Sequence, residues 1–200
     1  VFAALIHDVD HRGVPNAQLV KEEKDLVEKY GDKSTAEQHS VAVAWDLLMS
    51  DNFKSLRSAI CATEQELRRF RELVVNSVMA TDIVDPDLKK LRNQRWEKAF
   101  SSQYQESERD RVNRKATIVI EHLIQASDVS HTMQHWHVYC KWNAKLFEEM
   151  YAAYREGRAS KDPSEFWYKG EIGFFDNYII PLARKLSECG VFGVLSLIHI

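Results

Sequence analysis

The sequence predicts an all-helical protein. Seven glycines and four prolines in 200 residues are too few for the turns of a sandwich or barrel. Apolar residues recur at the 3.6-residue period in segment after segment. Ser34 and Thr35 followed by Glu37 and Gln38, and Thr63 followed by Glu66, have the spacing of helix-capping boxes. A chain of this length buries about 70% of its unfolded surface, so one compact multi-helix bundle is expected over residues 1–190, with 191–200 an apolar tail of unclear status.

Val1 to Ile6 is an apolar run that delivers His7 and Asp8 side by side and breaks at Gly13 and Pro15, as a short buried helix with a polar end would. Leu19, Val20, Leu26, Val27 and Tyr30 lie near one stripe of a surface helix or helical pair, and Gly31 is placed to end it. The next helix runs to Met49 with Val41, Ala44, Trp45 and Leu48 inward. On residue chemistry alone, Glu37 reads as a cap satisfying a backbone N–H in its first turn. From Thr63 a long helix buries Leu67, Phe70, Val74 and Val78 and carries Thr81 or Asp82 at the end of that face. An acid there opposes the helix dipole and needs another partner, such as a metal-bound water.

Residues 86–114 are charged and sparsely anchored by Leu88, Leu91, Trp96, Phe100 and Tyr104, which predicts a short helix and a surface connection. Lys115 to Ala126 is a strongly apolar helix from which Asp128 emerges. A carboxylate in that setting either meets a cation or caps the turn that starts at Ser130 or His131. Trp136 to Gly157 reads as a long helix whose many aromatic residues are mostly core. Asp162-Pro163-Ser164-Glu165 opens a last helical stretch, on which Glu171 and Phe174 project to the same side.

A net charge of −3 without a basic face disfavours nucleic acid as a partner. Cys61, Cys140 and Cys189 are odd in number and widely spaced, so reduced thiols and a cytoplasmic setting are expected. No apolar run is long enough to span a bilayer and no signal peptide opens the sequence, so membrane contact within this segment is not expected. Any tether to a membrane would come through regions outside these residues. The densest chemistry lies at His7, Asp8, Asp10 and His11, four metal-competent side chains in five positions; imidazole and carboxylate together suit zinc, manganese, iron or magnesium.

His7-Asp8-Val9-Asp10-His11-Arg12-Gly13 with Asn16 resembles the H-D-x-D-H-x-G-x-x-N signature of the class I 3′,5′-cyclic nucleotide phosphodiesterases, an HD-type family, including the preceding A-A-L-I. Weaker likenesses come after it in order. A-E-Q-H-S around Glu37 stands where the family has L-E-N-H-H, with Ser40 replacing the second His. M-A-T-D-I resembles its A-T-D segment, S-D-V-S-H contains the position of its later Asp, and G-E-I-G-F-F-D resembles Q-V-G-F-I-D.

The resemblance implies a compact helical fold of that type, a cyclic nucleotide as small-molecule partner, and two divalent ions, zinc with magnesium or manganese. It also implies that His7, Asp8 and Asp128 are metal ligands, and that His11, Glu37, Thr81 and Asp82 orient the ions' waters. Glu171 would read the purine, Phe174 would stack on it, and His131 would lie near the base. An H-N-x-x-H segment, which in the family supplies the leaving-group acid and one zinc ligand, is not among the 200 residues, so by themselves they are expected to turn over at no more than background.

Glu171 replaces the family's Gln. A carboxylate only accepts, which suits the N1–H and N2 amine of guanine better than adenine, so cyclic GMP is expected to be favoured. Two rivals share part of this pattern. Another HD-type metal phosphohydrolase would lack G-E-I-G-F-F-D, and a non-catalytic nucleotide sensor would have lost metal ligands.

Overall fold

The structure, a computed structural model, describes residues 1–101 and 107–190. As expected, it is helical; no strand occurs among the described residues. The anchor Tyr104 and the tail 191–200 lie outside them. The chain divides into two compact units, Val1–Ile124 and Gln125–Ile200.

In the first unit, helix α1 (Phe2–Ile6) lies against α4 (Thr35–Met49) and α6 (Glu64–Met79). Ile6, Val41, Ala44, Val74 and Val78 form the shared core, and the Phe2 and Phe70 rings meet at 5.5 Å on its flank. Five residues cannot hold a helix in water. Burial of Ile6, worth about 2 kcal/mol for a side chain of this size, fixes α1 and with it the polar end beyond. Only one face is covered, since Leu5 is 77% exposed.

The expected helical pair is α2 (Asn16–Glu22) and α3 (Lys24–Tyr30), broken at Glu23 and ended by Gly31 at φ 80°. The capping box at α6 is formed: the Thr63 hydroxyl accepts the Glu66 N–H at 3.2 Å, and Glu66 Oε2 accepts the Thr63 N–H at 3.0 Å. The one expected at α4 is not. Ser34 makes no cap hydrogen bond and sits in the left-handed region at φ 47°.

Residues 86–114 also depart from expectation. In place of a short helix, α7 spans Pro86–Phe100, with Asp85 accepting the N–H groups of Asp87 and Leu88, and α8 (Glu108–Asp128) begins well before Lys115. Charged residues fill positions that a hydrophobic pattern would assign to solvent. Glu121 is only 2% exposed and takes both guanidinium arms of Arg95, at 3.1 and 2.8 Å, while Arg92, also buried, donates to the Asp82 carbonyl.

The second unit holds a 3₁₀ turn (Ser130–Met133), α9 (Trp136–Arg155), a 3₁₀ turn (Pro163–Glu165) and α10 (Trp167–Phe174). A π turn (Phe175–Ile179) then leads into α11 (Ile180–Glu188). Val129, Ile179, Leu182 and Leu186 form its core. Pro181 has no N–H for the preceding turn, and the wider π turn is where the helix absorbs that loss.

Asp162 caps the Ser164 N–H at 2.8 Å, but only one 3₁₀ turn intervenes before α10. The aromatic residues of α9 are not mostly core. Trp136 is 71% exposed, and of the whole helix only Ala153 is fully buried. Their rings pack on one another and on α10, as Phe147 does on Trp167 at 5.0 Å, and so form walls.

Candidate active site

His7 is the C-cap of α1, and its Nδ1 lies 2.9 Å from the Ala4 carbonyl. That bond requires the proton on Nδ1 and leaves the Nε2 lone pair outward, 3.3 Å from Asp8 Oδ2. Two electron-rich atoms at that distance call for a proton or a cation between them. An imidazole that donates its far nitrogen to a backbone carbonyl has the arrangement usual for a metal-ligating histidine. The donor set, one imidazole nitrogen and a 66% exposed carboxylate, therefore fits a divalent ion.

The next few residues do not crowd this pair. Asp10, left-handed at φ 61°, accepts from His39 Nε2 at 2.8 Å and from Arg12 at 3.0 Å, and the His39 bond holds its carboxyl below the ordinary carboxylate range. His11 Nδ1 accepts the Gly13 N–H at 3.1 Å, so in the neutral ring Nε2 carries the proton and is a donor.

Asn16 has two tasks: its Oδ1 accepts the Ala36 N–H in the first turn of α4, and its Nδ2 donates to Glu37 Oε2 at 2.9 Å. Glu37 also bonds its own backbone N–H in the first turn, as its position suggested, while Asn16 takes the Ala36 N–H. Burial pushes the Glu37 carboxyl upward, partly offset by the Asn16 bond; nearby Asp82 adds to the rise and His11 opposes it.

Asp82 is buried and fully engaged by protein groups. Its Oδ2 accepts the Ser34 hydroxyl at 2.6 Å, and its Oδ1 accepts the N–H groups of Val84 and Asp85. The carboxylate past the end of α6 thus finds protein donors on both of its oxygens. Thr81 donates back to the Val78 carbonyl at 2.7 Å. Removing the Ser34 hydroxyl leaves a buried carboxylate oxygen short of a donor, so Ser34→Ala should cost about 1–3 kcal/mol in urea denaturation. Ser34→Gly loses the same hydroxyl but relieves the left-handed backbone, so it should lose less than Ser34→Ala; wild-type stability in Ser34→Ala would mean that the bond contributes nothing.

Asp128 is the last residue of α8. The next turn, the 3₁₀ turn at Ser130–Met133, has Val129 as its N-cap, which makes no side-chain cap bond. His131 lies within that turn, half-buried.

Glu171 is held from α9. Tyr139 donates to Glu171 Oε2 at 2.5 Å, Asn143 Nδ2 donates to the same oxygen at 2.6 Å, and Trp167 Nε1 donates to Asn143 Oδ1 at 3.1 Å, which fixes the amide's orientation. Burial first, and then the Glu171 bond, push the Tyr139 hydroxyl far above its usual range, so it is a donor throughout the physiological range. These residues border a cavity of about 710 Å³. Phe174 does not line it. Its ring stacks on Tyr178 at 5.3 Å and packs against the Val129/Ile179 cluster, and Phe175 faces the cavity in its place.

Residue patterns do not single out Tyr139 or Asn143, nor Ser34 as the partner of Asp82. Tyr139 and Asn143 are four apart on α9, as Trp167 and Glu171 are on α10, and that spacing is the available signal.

An all-helical chain thus carries, at the end of its first helix, an imidazole–carboxylate pair whose donor atoms fit a divalent ion. The sequence profile of the 3′5′-cyclic nucleotide phosphodiesterases matches residues 1–191, and the chain belongs to that family. It is 28% identical over 204 residues to the "Probable 3',5'-cyclic-AMP phosphodiesterase pde-4" of Caenorhabditis elegans, covering 94% of this chain and 29% of that protein. It is likewise 28% identical over 201 residues to mouse 3',5'-cyclic-AMP phosphodiesterase 4C, covering 94% of this chain and 28% of that one. The chain thus spans under a third of the curated relatives it matches. The phosphodiesterase domain of Salpingoeca rosetta rhodopsin phosphodiesterase has the same fold, with a TM-score of 0.75 at 23% identity over 98% of this chain and 59% of that domain. Among the described residues, no helix is long and apolar enough to cross a membrane.

Proposed function

We propose that these residues hold and orient a 3′,5′-cyclic nucleotide for metal-dependent hydrolysis to the 5′-monophosphate. The observation that carries this reading is the His7–Asp8 pair, tautomer fixed by Ala4, inside the H-D-x-D-H signature. His7, Asp8 and Asp128 would hold the metal, with zinc and magnesium or manganese as the ions. Bound there, divalent ions neutralise phosphodiester charge and make a nucleophile available at neutral pH.

The chain's own groups do the positioning. His11 offers Nε2–H, and Glu37, anchored through Oε2 by Asn16, keeps Oε1 as an acceptor. Thr81 and Asp82 would help to orient the ions' waters. In the second unit, Glu171 reads the base, Phe175 rather than Phe174 supplies an aromatic face, and His131 would lie near the base.

The test is product identity. In protein carrying an H-N-x-x-H segment together with these 200 residues, the product should be the 5′-monophosphate and a chelator should abolish turnover. A 3′-monophosphate, or activity indifferent to chelation, overturns the reading.

Purine choice depends on Glu171. The relatives named above are cyclic-AMP enzymes by name, whereas this chain has Glu where the family pattern has Gln. With Oε2 occupied by Tyr139 and Asn143, Oε1 remains for the base. Guanine brings N1–H with a second donor beside it; adenine brings one donor beside a lone pair that the carboxylate repels. Cyclic GMP should be favoured by about tenfold in kcat/KM, the worth of one buried polar mismatch, and Glu171→Gln should erase the preference. Wild-type protein favouring cyclic AMP by a similar factor would show that Glu171 does not read the base in this way.

A further inference from the structure

The cavity beside Glu171 is more specialised than a purine slot requires. Its walls carry six aromatic side chains and its polar edge carries three carboxylates, Glu148, Glu171 and Asp176; no Lys, Arg or His lines it. The donors at its floor are already committed. The Trp167 N–H goes to Asn143, and Asn143 and Tyr139 both go to Glu171. To a ligand this floor presents acceptor oxygen and ring faces.

The aromatic walls are braced at right angles, Tyr139 against Phe175 at 5.7 Å and 73°, and Phe147 against Trp167 at 5.0 Å and 81°. Two more aromatic side chains, Trp136 and Tyr168, stand at the mouth and are 71% and 77% exposed. Ring faces carry negative electrostatic potential and attract cations, most strongly where water is displaced. Carboxylates at the edge add to that attraction, and the same surface repels an anion.

We propose that this cavity is a binding site for a flat organic cation, its ring held between the aromatic walls and its charge placed toward Glu171, Glu148 and Asp176. The volume, about 710 Å³, accommodates a two-ring heteroaromatic. The site shares Glu171 with the purine reading but does not depend on it, because Glu148, Asp176 and the walls would attract such a ligand whichever base the protein prefers.

A charge series of similar bicyclic rings tests this by calorimetry at pH 8 with the full chain: N-methylquinolinium, neutral quinoline and naphthalene-2-carboxylate. The cation should bind about tenfold more tightly than the neutral ring, with the anion weakest. Glu148→Gln and Asp176→Asn, both at exposed positions, should together weaken the cation severalfold and leave quinoline unchanged. Equal affinity across the series, no binding of the cation, or indifference to the double variant overturns the proposal. Because the metal residues take no part in this chemistry, cation binding should survive Asp8→Asn. If cyclic nucleotide binds and the quinolinium does not, this proposal fails while the hydrolase reading stands; the reverse result separates them the other way.

Discussion

Asp8→Asn is expected to lower kcat/KM for cyclic nucleotide by about a thousandfold or more, while the far-ultraviolet dichroism and melting temperature stay at wild-type values. The side chain is 66% exposed and packs no core, so the fold has little to lose. The substitution preserves shape and removes the charge that a divalent ion needs beside the His7 lone pair. His7→Ala and Asp128→Asn should give losses of the same order, assayed in protein that also supplies an H-N-x-x-H segment. Retention of more than about a tenth of wild-type activity by any of the three would remove that residue from the metal set, since loss of even an indirect supporting contact costs about that much.

The second large effect concerns stability. Arg95→Ala should destabilise the fold by about 2–4 kcal/mol at pH 7, less than for a fully buried pair because Arg95 itself is 37% exposed. The cost arises from Glu121, which stays buried with its hydrogen-bonded ion-pair partner gone and only Arg92 left to offset its charge. Burial already pushes the Glu121 carboxyl upward, and Arg95 works against that push.

A carboxyl raised in the folded state takes up its proton more readily there than in the unfolded chain. Its contribution is therefore present at low pH and is lost as pH rises through the folded-state value. Without Arg95 that value rises further. Thus the gap between Arg95→Ala and wild type should narrow as pH falls from about 7 toward about 5, and a gap constant over that range would place the cost elsewhere. Glu121→Gln, which keeps the shape and removes the charge, should lose less than Arg95→Ala.

Glu121 also shows where a reading of the sequence runs out. Helix periodicity weighs apolarity alone, so a buried ion pair reads as a solvated stretch, and α7 looks short because Arg92 and Arg95 occupy its inward positions. The aromatic run of α9 misleads in the opposite sense. Apolar residues at helical spacing look like core, but they form the wall of a cavity, a distinction that depends on what α10 places opposite them.

Local signals fare better. Gly31 ends α3, and Thr63 with Glu66 makes the capping box, because each is settled within a few residues. Ser34 offers an equally good local pattern and is diverted by Asp82, 48 positions away. His7 and Asp8 are legible for the local reason: neighbours at the end of one apolar run are near each other in any fold. The partners of Glu171 are not, since Tyr139 and Asn143 belong to another helix.

The proposed hydrolysis would rest above all on divalent metal held by His7, Asp8 and Asp128. The decisive measurement is a calorimetric titration of the 200-residue chain with Mn²⁺ or Zn²⁺, beside His7→Ala, Asp8→Asn and Asp128→Asn. The expected result is a saturable site in the wild type that each substitution weakens by at least about tenfold. Wild-type affinity in all three variants, or no saturable binding in the wild type, would contradict it.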